Sequence, residues 1–221
     1  MERAVKTPRP GEPAVRQART RRTRVAVVEA AQTLFLERGY AATTIEAISD
    51  LSDTPQATVY RLFSSKIGIL RAVVDVAVVG DGDAIAMLDR PPVRTLLSDT
   101  DPRSQLKGFA ALLRHVMGRI GPVHRILSDA ARSDEDAVSL LADIARQRHE
   151  GQNQIARSLA RHKNLRPGLR ERDAADIIYA VASPEVYRLL VLERGWSGER
   201  YQEWMEDTLI DQLLPSDPPP D

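Results

Sequence analysis

The 221-residue sequence has no cysteine. That excludes a disulfide framework, a thiolate metal site and a cysteine nucleophile, and it removes any sign of an oxidising compartment. Aromatic residues make up only 5% of the chain, with two Trp, five Tyr and three Phe. No apolar run approaches the length of a membrane span. The longest, Ala72 to Val79, is short and interrupted by Asp75. The N-terminus is basic and polar, without the apolar segment of a secretory signal. A cytoplasmic protein is expected. The four histidines, His115, His124, His149 and His162, include no pair at the i,i+4 spacing of a helical zinc site, so they read as surface or satisfied core residues. No Gly-x-Ser-x-Gly elbow and no assembled catalytic set appears, so neither an enzyme nor a cofactor is expected. The segment Val76 to Asp83 mimics a strand entering a nucleotide loop. It lacks the third glycine, however, and Asp81 and Asp83 would repel a pyrophosphate.

What the sequence does hold is 43% hydrophobic and 28% charged residues, dominated by Ala, Leu, Arg, Asp and Glu. This composition favours helix over sheet and predicts an all-α protein. A net charge of zero conceals an asymmetry: residues 1–66 hold 11 Lys/Arg against 7 Asp/Glu, and the remainder 20 against 24. Arg3, Lys6, Arg9, Arg16, Arg19, Arg21, Arg22 and Arg24 oppose only Glu2 and Glu12. With Pro8, Pro10, Gly11 and Pro13 and few large apolar side chains, residues 1–19 read as a disordered basic arm. Its position beside the first helices makes phosphate or minor-groove contact by Arg16 to Arg24 a possibility to test.

From Thr20, Val27, Val28, Ala31, Leu34 and Phe35 recur at helical steps, and Gly39 stands where a left-handed residue ends a helix. Thr43 or Thr44 caps a second short helix with Ile45, Ile48 and Leu51 inward. Ser52 to Pro55 breaks it. Thr54 as N-cap and Pro55 at the first helical position predict a third helix from Pro55 to Phe63. Ser64 or Ser65 then caps a fourth, running from Lys66 to about Leu88. Further helices are expected near 102–120, 122–132, 135–163, 172–182, 184–195 and 198–214, with a loop at Pro91 and Pro92 and a Pro-rich tail.

Two short helices joined by a tight turn form a helix-turn-helix, whose second helix presents Gln56, Ala57, Thr58, Tyr60 and Arg61. Gln pairs with the adenine edge, Ala and the Thr methyl suit a thymine methyl, and hydroxyls or Arg reach phosphates. The spaced residues Ala30-Ala31, Leu34-Phe35, Glu37 to Tyr40, Thr43-Thr44, Ile48, Thr58-Val59-Tyr60, Phe63 and Lys66 resemble the DNA-binding domain of the TetR family of bacterial repressors. The resemblance implies that Thr43, Thr44 and Lys66 meet phosphate while Gln56 to Tyr60 lie in the groove. Two departures stand out. The family's usual turn Ala-Gly-Val-Ser is Ser52-Asp53-Thr54-Pro55 here, with Asp53 taking the left-handed position, and the common His before Phe63 is Leu62.

A weaker likeness covers Ser183 to Trp204. It implies a homodimer built on the last two long helices, with Val186, Leu189, Leu190, Glu193, Tyr201, Met205, Thr208, Leu209 and Gln212 at the interface. The alternative is that these residues face the subunit's own core. The resemblance also places an unidentified small-molecule effector in a pocket, with Met87, Phe109, Leu113, Met117, Ile120, Leu127 and Tyr179 as candidate lining. The domains expected are a helix-turn-helix domain at 20–66, an effector-binding and dimerisation domain at 67–214 and a flexible tail at 215–221. The function expected is a regulator of double-stranded operator DNA, most simply a repressor released from a palindromic site by the effector. The alternative is a ligand carrier or enzyme on the same scaffold.

Overall fold

The computed structural model describes residues 12–80 and 87–216, and all regular structure among them is helical. Residues 1–11 of the expected arm, residues 81–86, expected within the fourth helix, and residues 217–221 at the end of the tail lie outside the described residues. Two compact units divide between Val73 and Val74.

In the first unit, α1 (Glu12–Ala42) begins eight residues before the expected Thr20, so the arm is helical from Glu12 onward. Ala14, Val15, Gln17 and Ala18 carry no helix breaker, and Pro13 falls in the first turn, where its missing N–H costs nothing. Gly39, with φ 79°, interrupts the helix as its sequence position implies. α2 (Ile45–Leu51), α3 (Gln56–Phe63) and α4 (Lys66–Val79) follow. The core joins Val27, Ala31 and Phe35 of α1 to Ile48, Val59, Phe63, Ile69 and Leu70. Ile69 and Leu70 are fully buried, so the boundary falls within α4 at Val73 rather than at Lys66.

α4 ends at Val79, well short of Leu88, and Gly80 follows with φ 85°. After a short 3₁₀ turn at Met87–Asp89, the expected proline loop is instead a helix, α5 (Pro91–Ser98). Both prolines occupy its first turn, the one stretch of a helix that loses no hydrogen bond to them. Residues expected to form two helices around Gly121-Pro122 form one, α6 (Pro102–Ala130), with Pro122 inside it. α7 (Glu135–Arg161), α8 (Glu171–Val181), α9 (Pro184–Tyr187) and α10 (Gly198–Leu213) complete the second unit, and a π-helical segment, Arg188–Glu193, continues α9. α10 lies along α6, and α8 along α7. Gly121 lets the Tyr187 ring close on the α6 backbone: a Cβ there would meet ring carbon at 2.8 Å.

Candidate functional site

α2 and α3 are held by a turn built from its own side chains. Thr44 caps α2 by accepting the Ala47 N–H at 3.1 Å. Asp53 takes the left-handed conformation with φ 47°, as its replacement of a turn glycine requires. Ser49 Oγ donates to the Thr54 carbonyl at 2.7 Å, and Thr54 Oγ1 donates to the Ser52 carbonyl at 3.1 Å. Thr54 is therefore a buried turn residue, not the N-cap of α3. Pro55 occupies that position without a side-chain cap.

α3 buries Val59 and Phe63 and exposes the opposite face. Gln56, Ala57, Tyr60 and Arg61 are exposed and Thr58 is half-buried, so the five residues expected to meet DNA lie on the outward side. Tyr60 is 50% exposed, far beyond what core packing would leave an aromatic ring. Arg24 of α1 braces the other end of α3. Its Nη1 donates to the Leu62 carbonyl at 3.3 Å, and its guanidinium lies 4.6 Å over the Phe63 ring. A basic side chain at a helix C-terminus also offsets the helix dipole.

Two residues assigned to phosphate stand differently. Thr43 is 1% exposed, and its hydroxyl donates to the carbonyls of Gly39 (2.8 Å) and Leu34 (3.2 Å). It is a buried tie across the end of α1 and offers nothing to DNA, which corrects the expectation. Lys66 points its ammonium at the carbonyls of Tyr40 (2.9 Å) and Thr43 (3.1 Å) and lies 4.2 Å over the Tyr40 ring. Thr44 alone of the three is exposed.

The C-terminal face is also redistributed. Tyr201, Met205 and Leu209 are 0% exposed within the single subunit, so they belong to its core and cannot touch a partner. The reason is the side-by-side packing of α10 and α6, which takes the i, i+4, i+8 stripe of α10 inward. Leu189 (45%) and Glu193 remain exposed, as does Gln212, while Val186, Leu190 and Thr208 are half-buried. Leu192, absent from the expected set, is 46% exposed.

Within the second unit, a cavity of about 870 Å³ is enclosed by α5, α6, α7, the 3₁₀ turn and the residues flanking them. Met87, Phe109, Leu113, Met117, Ile120 and Tyr179 line it, as expected. Leu127 does not; it is fully buried in the packed core. The volume falls in the range of small-molecule sites, which take an apolar body and fix it by a few polar groups.

Those polar groups escaped the sequence reading. His124, Ser128, Arg148, Gln152 and Glu185 join the lining. Arg148 Nη1 donates to the Tyr179 carbonyl at 2.9 Å, and its guanidinium stacks 3.6 Å over the Tyr179 ring. Gln152 Nε2 donates to the Ala182 carbonyl at 3.2 Å. Burial pushes the His124 imidazole below its ordinary pKa. Nearby Arg148 acts in the same direction, while Glu185, with its Oε1 4.0 Å from Nε2, opposes them. A signal was present in the chain: Leu141, Ile144, Arg148, Gln152 and Ile155 follow one another at steps of three and four, which places a cation and an amide on an apolar stripe. No group of His, Asp and Glu among the described residues could hold a metal ion, and no described helix is long and apolar enough to cross a membrane.

Residues 27–73 match the family model for bacterial regulatory proteins of the tetR family. The chain is similar to the HTH-type transcriptional regulator TcmR of Streptomyces glaucescens, with 27% identity over 165 residues, covering 71% of this chain and 67% of that one. Its fold is that of a tetR-family regulator structure from Syntrophomonas wolfei, with TM-score 0.67 and 19% identity over 85% of this chain and 92% of the other. It is also that of SmeT, solved in complex with triclosan, with TM-score 0.63 and 18% identity over 90% and 99%. SmeT is the repressor of the Stenotrophomonas maltophilia multidrug efflux pump SmeDEF.

Proposed function

We propose, on the premise that this chain belongs to the tetR family of bacterial regulatory proteins, that it is a homodimeric repressor freed from a palindromic operator by a small molecule. The family and the relatives are transcriptional regulators, not enzymes. The observation that carries the proposal is the outward face of α3. It presents Gln56, Ala57, Thr58 and Tyr60 from a helix pinned at one end by the turn hydrogen bonds and at the other by Arg24. Such a helix enters a major groove with its N-terminal residues against base edges. Gln56 suits adenine, Ala57 and Thr58 suit a thymine methyl, and Arg61 and the Thr44 hydroxyl suit phosphates. A dimer would set two copies of α3 on half-sites about one helical turn or slightly more apart.

The cavity of about 870 Å³ supports an effector site in the second unit, and SmeT, of the same fold, has been solved with triclosan bound. A ligand that prefers the conformation unable to span both half-sites shifts the population away from DNA. A ~1000-fold loss of operator affinity needs a preference of roughly 4 kcal/mol. The test is genome-wide capture of DNA fragments by the purified protein at two salt concentrations. Specific contacts survive salt that strips phosphate contacts alone. Recovery of a palindrome, lost with Thr58→Ala and Tyr60→Ala, supports the reading. No enrichment at either salt by a folded dimer overturns it in favour of a carrier or enzyme on this scaffold.

A further inference from the structure

We infer that the occupant of the cavity is a lipophilic organic anion, an apolar body bearing one acidic group that seats on Arg148; this rests on the reading of the cavity as the effector site. The walls supply the apolar part through Phe109, Leu113, Met117 and Ile120. Arg148 supplies the rest. It is half-buried, and its polar contacts among the described residues all run through Nη1, to the Tyr179 and Ala182 carbonyls and to Gln152 Oε1. These partners are neutral, and no described carboxylate forms an ion pair with it. This guanidinium therefore has no described ion-pair partner to displace when an acid group arrives. Its unused Nε and Nη2 groups lie on one edge of the fork, the edge that takes an acid group by two parallel hydrogen bonds. The Nη1 bonds and the stacking on Tyr179 hold that edge in place before a ligand arrives.

Three carboxylates also line the cavity, Asp75, Glu150 and Glu185, and they would favour a cation. All three are exposed, so water already solvates them and a bound cation would gain little. Burial lowers the His124 pKa and so favours its neutral ring, which presents no competing charge. The half-buried charge without a described ion pair is Arg148, and a partner gains more there than at the exposed carboxylates.

The probe pair is 8-anilino-1-naphthalenesulfonate and N-phenyl-1-naphthylamine, the same skeleton with and without the acid group, titrated by fluorescence into the full chain. The sulfonate is expected to bind one per subunit, with a Kd at least about tenfold below that of the amine. Arg148→Gln should abolish that preference while leaving the amine's affinity unchanged, and Arg148→Lys should keep part of it. Met117→Trp, which fills the cavity, should remove both probes. The proposal is overturned if the amine binds as tightly as the sulfonate, if tetraphenylphosphonium displaces both probes more tightly than either binds, or if the sulfonate survives Met117→Trp. The wild-type comparison decides even if Arg148→Gln fails to fold. Release of a captured DNA fragment is measured separately. A sulfonate site that leaves DNA bound would retain the anion site and reject the effector reading.

Discussion

In the first unit the buried hydroxyls of Thr43, Ser49 and Thr54 each close a hydrogen bond to backbone within nine residues along the chain, and Val27, Phe35, Ile48 and Val59 are fully buried in the same unit. In the second, Arg148 and Gln152 reach some thirty residues to the end of α8, and an 870 Å³ space stays open beside them. The first arrangement makes a rigid platform, which a groove-reading helix needs because a small error in its angle misplaces every base contact. The second leaves Nε and Nη2 of Arg148 without a described hydrogen bond beside an open space, which a ligand can fill.

The contrast is broken most forcefully at Phe35, 1% exposed in the filled core. Phe35→Ala should cost about 3–5 kcal/mol in thermal or urea unfolding and abolish fragment capture. A paired truncation then sharpens it. Leu127→Ala, in packed core, should cost about 2–5 kcal/mol, whereas Leu113→Ala, on the cavity wall, should cost only about 1–2 kcal/mol because it enlarges a space that already exists. Equal costs would mean that the cavity is collapsed in solution. On the α3 face, Arg61→Ala should weaken DNA binding across all sequences and lower the salt slope by about one, with no change in unfolding.

Two smaller effects follow. Asp53→Gly should raise stability by about 0.5 kcal/mol, since glycine takes φ 47° without strain, and should tighten DNA binding by removing a negative charge. His124 has a folded-state pKa below its unfolded value of 6.5, so folding favours the neutral ring. Above that value the ring is neutral in both states. Stability should fall as pH drops below about 6.5 and towards the lower folded value, and His124→Gln should flatten that part of the profile. A profile that is the same in wild type and variant would place His124 in water instead.

Much of the first unit was legible because its signals are local. The stripe from Val27 to Phe35, Gly39, the Thr44 cap and the Asp53 turn each act within a few residues, and each sits where its pattern implied. Two adjacent threonines, Thr43 and Thr44, compete for one cap, and nothing local tells which of them the end of α1 buries. Lys66, which the resemblance implies meets phosphate, donates to carbonyls more than twenty residues away along the chain, and no local pattern announces that placement. Pro91 and Pro92 imply a loop and Pro122 the start of a new helix, whereas the first two start α5 and the third rides inside α6.

The helical class, the helix-turn-helix and the outward residues of α3 follow from periodicity and capping, which are properties of neighbouring residues. Tertiary structure decided the rest. An amphipathic helix such as α10 states that it has an inner face, but not whether that face meets its own subunit or another, and the packing of α10 on α6 settled this for Tyr201, Met205 and Leu209. An arginine on an apolar stripe is equally consistent with a buried ion pair or a ligand contact. Only the absence of a described ion pair to Arg148, which depends on how separate helices come together, separates the two.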